Sequence, residues 1–423
     1  MSFVATVLGR RALQGQGSRS ALAAVWGWHP LDDTIGHPEQ RSVEKPQSSW
    51  FSSLAAAESV PISRPASQDN WSPSLVQRRM LSEVAMDEPI MTSMRFNKKI
   101  MNWYRKALSR LLKLRDKGSH VMSGATAEKV YIDMMESFSG YSKVYDAVVD
   151  VVCVATMLHK SAVLLSLFPN PGELILKHRE FIAELMSKAG EMMSNMSDHH
   201  AATVLHYYSL SPDVKRLALT GMNHEQLIQK ATDTMVNMAP EAKPRSVVLS
   251  LLGIAEVKKD DVESAKNLLR ALKGHANEAD SDMISGIAYA MAKMDLEDEE
   301  GILSEYLGVL HDQIEKFRPE AVGNLTWALA KMGHTEGRAF FSRLLMQYRM
   351  RMSSALPRDI TLTVEALAIS GHTEDMNFIE AMAEVASKHS DTFNKKDTQT
   401  LIDSFEKLGL KSDSRYWDDF QFA

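Results

Sequence analysis

The sequence has few of the residues on which disulfide-stabilised, membrane-spanning and flexible proteins depend. It contains a single cysteine, Cys153, so no disulfide can form within the chain and the fold needs no oxidising compartment. Glycine is scarce, with 21 residues among 423, which is typical of a mostly helical chain. A hydrophobic run at 147–168 is interrupted by Asp150, His159 and Lys160, so it predicts a buried helix and no membrane span.

Motifs that mark common active sites are also missing. The chain has no G-x-x-x-x-G-K-S/T, G-x-G-x-x-G or G-x-S-x-G sequence, and one cysteine cannot form a C-x-x-C pair. His199, His200 and His206 are close in sequence, but no H-E-x-x-H or carboxylate pattern accompanies them. Cys153 lies in an apolar segment without a basic neighbour, which indicates a buried thiol. We therefore predict a non-enzymatic protein with no catalytic residue, cofactor or metal.

What the sequence does contain is a segment that recurs with a 38-residue period. Four copies align without gaps, at 281–295, 319–333, 357–371 and 395–409. A fixed period in the range of roughly 20–50 residues is typical of stacked-repeat architectures.

The aligned columns predict one apolar helix face, because they recur at i, i+3, i+4 and i+7. These columns are Ile284, Val322, Ile360 and Thr398; Ile287, Leu325, Thr363 and Leu401; Ala288, Thr326, Val364 and Ile402; and Met291, Leu329, Leu367 and Phe405. A column of small residues allows a neighbouring helix to approach closely, and it contains Ala290, Ala328, Ala366 and Ser404. Pro319 and Pro357 are predicted helix starts, and Gly333, Gly371 and Gly409 are predicted C-caps.

A second helical pattern lies between the copies, at 302–317, 339–352 and 376–389, each long enough for about four turns. Thr335 and Thr373 are predicted to cap the second and third of these helices. The methionines of the region are predicted to pack in the core; they are Met283, Met291, Met294, Met332, Met346, Met350 and Met352. A lone helix pair cannot bury its apolar face. We expect an all-α fold, an α-solenoid of stacked helix pairs with a 38-residue period.

The run Trp327-Ala-Leu-Ala-Lys-Met-Gly333 resembles the octotricopeptide-type repeats of organelles, which share a unit of this length. The matching residues are Pro319, Asn324, Leu325, Trp327, Ala328, Leu329, Ala330, Lys331, Met332 and Gly333. The chain is also similar in build to repeat subunits of the kinetoplastid RNA-editing substrate-binding complex and to FAST-kinase-like mitochondrial proteins. Only the copy at 319–333 is close. The resemblance implies binding of organellar RNA, with no catalysis by the repeats.

The charge distribution argues against simple RNA binding by the repeats. Residues 197–423 contain 25 Lys and Arg against 35 Asp and Glu, whereas residues 1–129 contain 18 against 11. Phosphate binding depends on Lys and Arg. The acidic array therefore favours an alternative, in which the protein is a structural scaffold subunit of a mitochondrial ribosome or respiratory complex.

The first residues resemble an organelle-targeting leader. Residues 1–31 contain Arg10, Arg11 and Arg19, with no acidic residue before Asp32. This composition favours the mitochondrial matrix, with the plastid or a disordered tail as the alternatives. Residues 32–94 are rich in Ser, Pro and Gln and are predicted to be a disordered linker.

A basic amphipathic helix is predicted at 95–117, where nine Lys and Arg accompany one acid, Asp116. Three interpretations are open: phosphate binding, contact with an anionic membrane surface, or an end cap for the array with solvated cations outside. A stacked array needs an atypical unit at its end, and this requirement favours the end-cap interpretation. Binding of RNA by this helix would use Arg105, Lys106, Arg110 and Lys113.

The remaining segments predict further helices. Helical patterns occupy 126–138, 141–168 and 173–196, which complete an N-terminal helical region at 95–196. The repeat array is assigned to 197–423, where weaker copies precede the first clear copy and the spacing falls short of the period. The two weaker copies have predicted apolar faces, one formed by Ala201, Val204, Leu205 and Tyr208 and the other by Val248, Leu251, Leu252 and Ala255. The aromatic, acidic tail after Gly409 is either a cap or a docking segment.

We therefore predict a mitochondrial helical-repeat protein in organellar RNA metabolism. The RNA is expected along one face of the first helix of each pair, with protein partners in a ribonucleoprotein or other large assembly. The residues predicted to project from that face are Gly323, Asn324, Thr361, Leu362, Gln399 and Thr400.

Overall fold

The computed structural model of the chain describes residues 91–115, 124–168, 171–211, 214, 223–298, 300–310, 314–334, 338–373, 375–390, 393 and 395–410. The predicted leader, nearly all of the predicted linker and the aromatic tail lie outside these residues, as does Thr335. Within the described part of the chain there are sixteen α-helices, short 3-10 turns and no strand, so the all-α class is confirmed.

The helices before the clear repeats are α1 (Ser93–Arg115), α2 (Ala125–Val144), α3 (Val151–Leu165), α4 (Gly172–Lys177), α5 (Arg179–Met192), α6 (Asp198–Leu210), α7 (His224–Met238), α8 (Pro244–Val257) and α9 (Val262–Ala271). Those of the repeat region are α10 (Ser281–Lys293), α11 (Ile302–Gly308), α12 (Pro319–Lys331), α13 (Arg338–Arg351), α14 (Pro357–Ser370), α15 (Met376–Ser387) and α16 (Lys395–Lys407).

The helices pack in two layers. In the first layer, each member of the series α1, α3, α6, α8, α10, α12, α14 and α16 packs against the next. The second layer contains α2, α5, α7, α9, α11, α13 and α15. Helices α9, α11, α13 and α15 each pack on the first-layer helix that precedes them in the chain. Each pair thus covers one side of its neighbour, and the first layer is a continuous surface.

The last four first-layer helices start and end at equivalent positions. They begin at Ser281, Pro319, Pro357 and Lys395, which are the first residues of the four aligned copies. A left-handed residue follows each helix, namely Asp295 (φ 52°), Gly333 (72°), Gly371 (64°) and Gly409 (85°). The next N–H then donates to the carbonyl five residues back, as from His334 to Leu329 at 2.9 Å and from His372 to Leu367 at 3.0 Å. This bond satisfies a carbonyl that the helix end leaves unpaired.

The predicted columns form the core between first-layer helices. Their members in the four copies are buried, except for Ile402, which is half-buried. The small residues Ala290, Ala328, Ala366 and Ser404 are buried as well. Another close approach occurs earlier, between α6 and α8, where a Cβ on Gly253 would lie 2.6 Å from the carbonyl carbon and oxygen of Leu205.

Several predicted boundaries are wrong, for local reasons. The pattern at 141–168 is split, because Asp150 accepts the N–H of Cys153 at 3.0 Å and starts α3 anew. The pattern at 126–138 belongs to the longer helix α2, and that at 173–196 is divided at His178. Helix α11 ends at Gly308 instead of continuing to 317, since glycine is a poor helix former.

Capping also differs from the predictions. Helix α15 is capped by Asp375, which accepts the N–H of Phe378 at 3.0 Å, and Thr373 is not its cap. Helix α8 begins at Pro244, so its start lies closer to Ser281 than a full period would place it, as the weaker copies suggested. The predicted faces of α6 and α8 are buried, apart from the half-buried Leu252.

Candidate nucleic-acid interface

The predicted phosphate-binding residues of α1 lie on its solvent side. Arg105, Lys106, Arg110 and Lys113 are all exposed. Next to them, the Lys160 ammonium of α3 lies 5.0 Å from the centre of the Tyr104 ring. Burial, together with the positive charge of Arg105, lowers the pKa of Lys160 to about 8. Lys160 itself is buried, so the exposed cations of this group are those of α1.

The apolar side of α1 is occupied by the protein itself. Ile100, Leu108, Leu111 and Leu112 are buried, and the Trp103 ring meets the Tyr141 ring of α2 edge-on at 4.7 Å. Helix α1 packs against both α2 and α3. Because this face is covered by α2 and α3, any contact of α1 with an anionic membrane surface would be made by its exposed cations.

The residues predicted to project from the repeats are in mixed positions. Gln399 is exposed and donates to Asp403 at 2.7 Å, whereas Asn324 and Thr400 are half-buried. Gly323, Thr361 and Leu362 are buried, and a Cβ on Gly323 would lie 3.1 Å from the Asp359 carbonyl oxygen. The prediction that these three face away from the core is therefore wrong.

A row of cations lies over aromatic rings along the first layer. The Lys293 ammonium is 5.4 Å from the centre of the Tyr289 ring on α10, and the Lys331 ammonium is 5.4 Å from the Trp327 ring on α12. The two ring centres are 5.2 Å apart. An aromatic ring holds a cation over its face electrostatically. The sequence contained the signal, since an aromatic residue followed by lysine four positions later occurs in two consecutive copies.

Arg358, in the first turn of α14, reaches back across the first layer. Its guanidinium carbon lies 5.2 Å from the Tyr289 ring on α10, and a guanidinium nitrogen lies 3.9 Å from a Glu256 carboxylate oxygen on α8. Helices α10 and α12 stand between α8 and α14 in the series. The first layer must therefore curve inward here. We call Glu256, Tyr289, Lys293, Trp327, Lys331 and Arg358 the concave patch.

Glu256 is the acidic centre of the concave patch. One of its oxygens accepts from the Lys293 ammonium at 2.6 Å, and the other accepts from the Tyr289 hydroxyl at 2.9 Å. Burial alone would raise the pKa of this carboxyl, but the charges of Arg358 and Lys293 outweigh burial and lower it. Glu256 is thus a carboxylate that balances part of the positive charge in the patch.

Further cations act on the same region from α3 and α8. Burial is the main cause that lowers the pKa of His206 to about 3, and the charges of Arg358, Arg245 and Lys160 contribute. The His206 ring lies 5.9 Å from that of His159, whose pKa is lowered well below its ordinary value by burial and by Lys160. These histidines are therefore neutral, while the Lys and Arg around them supply positive charge.

Two carboxyl groups, the half-buried Glu320 and the buried Asp359, lie where α12 meets α14. Burial and the negative charge of Asp359 raise the pKa of Glu320, and burial raises that of Asp359 itself. The Leu356 N–H donates to Asp359 at 2.9 Å, whereas one buried Glu320 oxygen has no hydrogen-bond partner in the described part of the chain. A cleft elsewhere is lined by Glu225, Gln229, Lys258 and Asp261, among others. Glu320 and Asp359, the carboxyl groups with raised pKa values, therefore do not belong to that cleft.

The described residues contain no group of three or more His, Cys, Asp or Glu that could hold a metal ion. None of the helices described is long and apolar enough to cross a membrane. Cys153 is buried, as predicted, and burial with the negative charge of Asp150 raises its pKa to about 12. A thiol with so high a pKa is a poor nucleophile.

Comparison with known proteins gives no assignment: neither a protein-family model nor a curated protein sequence matches the chain.

Proposed function

We propose that this protein is a non-enzymatic α-solenoid of 38-residue helix pairs that binds RNA in the mitochondrial matrix. Its role would be in organellar RNA metabolism, in the processing or stability of mRNA or rRNA. The evenly spaced helix starts and left-handed helix ends support the repeat architecture. The Arg-containing, acid-free leader supports the location.

The observation that carries the RNA proposal is the concave patch. An array with an excess of acids nevertheless gathers Lys293, Lys331 and Arg358 on the inner side of its first layer. The three cations of the patch outnumber its one carboxylate, Glu256, and a local excess of positive charge attracts anions. Lys and Arg contacts to phosphate supply most of the affinity for a nucleic-acid backbone. A local group of cations can therefore bind RNA despite the overall charge.

The mode of binding that fits this surface is recognition of the phosphate backbone of a single strand. The cations are fixed by ring faces and by carboxylates, so little side-chain entropy is lost when they meet a phosphate. The exposed cations of α1 (Arg105, Lys106, Arg110 and Lys113) would supply further phosphate contacts at the N-terminal end of the first layer. Asn324, Gln399 and Thr400 would supply polar contacts at its other end.

The test is a salt-titrated binding assay on the leader-free protein with a fluorescent single-stranded RNA. We expect affinity to fall linearly with salt on logarithmic axes, with a slope smaller by about 1.4 for Lys293→Gln/Lys331→Gln, at about 0.7 per lost contact. The control is Lys388→Gln on α15, because Lys388 also pairs with an acid, Glu384, at 2.8 Å. No binding at low salt, alone or with co-purifying proteins, would contradict the proposal.

A scaffold subunit of a mitochondrial ribosome or respiratory complex is the second candidate. Helix α13 supports it, because it has four arginines and no acid, and Met346 and Met350 are exposed one turn apart. The prediction that these two methionines pack in the core is wrong, and exposed methionines suit protein contacts. Native fractionation discriminates: a scaffold would co-migrate with one large assembly in fixed stoichiometry, whereas a protein that binds RNA outside such an assembly would migrate in smaller, nuclease-sensitive complexes.

A further inference from the structure

Arg358 differs from the other cations of the concave patch in how it is held. Its side chain is 46% exposed although it reaches back to α8, and its contact with Glu256 is 3.9 Å, beyond ordinary hydrogen-bond length. The Tyr289 ring supports the guanidinium from one side. Glu256, by contrast, is mostly buried and hydrogen-bonded to Lys293 and Tyr289. Arg358 can therefore leave Glu256 without leaving that carboxylate unpaired.

We propose that Arg358 binds a phosphate group of an anionic ligand, and that this phosphate replaces Glu256 as the partner of the guanidinium. The proposal rests on the proposed function for the ligand, which would be the phosphodiester backbone of single-stranded RNA. A guanidinium presents a planar fork of donors that matches two phosphate oxygens. The present contact with Glu256 does not use that fork at close range.

Both cations and the carboxyl groups of Glu256 and Glu320 surround Arg358, and the cations favour a phosphate there. Lys293 lies on the other side of Glu256, and Arg245 and Lys160 act electrostatically on the same region around His206. Arg245 is bound to Asp280 at 2.9 Å, and this carboxylate offsets part of its charge. These groups come from α3, α8, α10 and α14, and no two of these helices are adjacent in the chain. The binding region therefore requires the curvature of the first layer.

The chain offers a matched control in Arg349 on α13. Its guanidinium also contacts an acid, Asp375, at 3.0 Å and an aromatic ring, Phe378, at 5.7 Å, and its side chain is 50% exposed. Arg349 belongs to the second layer. A substitution there removes the same charge and comparable contacts without touching the concave patch.

The experiment measures RNA affinity and its salt dependence for wild type, Arg358→Gln, Glu256→Gln and Arg349→Gln in the full chain. We expect Arg358→Gln to weaken binding about tenfold and to lower the salt slope by about 0.7. Glu256→Gln should strengthen binding several-fold, because the competing carboxylate is gone. Arg349→Gln should match wild type. Circular dichroism and thermal unfolding show whether each variant is folded, and Arg358→Lys should restore part of the affinity.

Opposite effects of Arg358→Gln and Glu256→Gln on RNA affinity distinguish a ligand site from a merely structural contact. If Arg358→Gln and Glu256→Gln change affinity in the same direction, or if Arg358→Gln matches Arg349→Gln, the proposal is overturned. If wild type binds RNA and Arg358→Gln binds equally well, the phosphate site is wrong while the proposed function stands. A second arm uses tripolyphosphate alone: Arg358-dependent binding of it without RNA binding would support the site and contradict the RNA proposal.

Discussion

Asp295 has the same left-handed backbone conformation that Gly333 has at the equivalent position of the next repeat, with φ 52° against 72°. In both places the next N–H closes the helix end, from Leu296 to Met291 at 2.9 Å and from His334 to Leu329 at 2.9 Å. Aspartate tolerates this conformation better than most side chains do, whereas glycine adopts it freely. The helix end is therefore set by the repeat, and the first copy accepts a less favourable residue there.

Replacing a glycine at these helix ends should destabilise the protein. We expect Gly371→Ala to lower the free energy of unfolding by about 1 kcal/mol, because alanine is strained at φ 64°. The matched control is Gly308→Ala at the end of α11, where a Cβ meets open space and φ is not in the left-handed range. Urea denaturation measures both. Equal effects at the two sites would show that the left-handed end is unimportant.

The contact between α6 and α8 should be sensitive to a single methyl group. Gly253→Ala places a Cβ against the Leu205 backbone, so the helices must separate, at a cost of roughly 1–3 kcal/mol. Gly190→Ala on α5 is the control, because its Cβ would make ordinary contact with a Leu227 methyl at 3.6 Å. Thermal unfolding compares them. A Gly253→Ala protein as stable as wild type would contradict the close packing.

The sequence predicted what depends on local spacing. The repeat period located the helix starts and the buried columns, since both follow from side-chain direction along a helix. The sequence did not identify Asp295 as a helix end. A glycine at this position would have indicated a left-handed backbone conformation, whereas an aspartate does not. The sequence also predicted too great a length for α11, because the apolar pattern continues past Gly308 although the helix ends there.

The functional surface was harder to predict, because it depends on curvature. The separation of Glu256 and Arg358 along the chain is no multiple of the repeat period, so no alignment of the copies brings them together. Tyr289 with Lys293 and Trp327 with Lys331 do follow the period and were visible in the sequence. The role of these pairs in a cationic surface was not visible, because the sequence identifies Trp327 and Lys331 only as matches to a repeat pattern.

Glu320 should make stability fall as the pH rises above 4.5. Its pKa in the folded chain is raised from the ordinary value of 4.5, so the folded chain binds more protons above pH 4.5 than the unfolded one does. The free energy of unfolding therefore falls as the pH rises from 4.5 through the raised pKa. Glu320→Gln removes this ionisation.

We expect Glu320→Gln to be more stable than wild type at pH 8.5 and to lose that advantage at pH 5. Urea unfolding at both pH values gives the comparison. Glu315→Gln, on an exposed glutamate five residues earlier, is the control and should follow wild type. A Glu320→Gln protein that is less stable than wild type at pH 8.5 would show that the carboxylate is stabilising instead.

The neutral histidines should make stability fall as the pH decreases, which is opposite to the effect of Glu320. The pKa of His206 is lowered to about 3 and that of His178 to about 4, mainly by burial, from an ordinary value of 6.5. Below pH 6.5 the unfolded chain takes up protons that the folded chain does not, so the free energy of unfolding falls as the pH falls.

We expect His206→Gln to flatten the loss of stability between pH 6.5 and pH 5. The control is His275→Gln, because His275 is exposed and paired with Glu278 at 2.9 Å. Urea unfolding over this range checks the prediction. If His206→Gln and wild type lose stability in parallel, protonation of His206 does not drive the change.

The central claim, that RNA lies on the inner side of the first layer, is tested most directly by ultraviolet cross-linking. Full-length protein would be cross-linked to single-stranded RNA and the modified peptides mapped by mass spectrometry. We predict cross-links in α10, α12 and α14, in the peptides that contain Lys293, Lys331 and Arg358. Cross-links confined to α11, α13 and α15, or their absence at low salt, would contradict the claim.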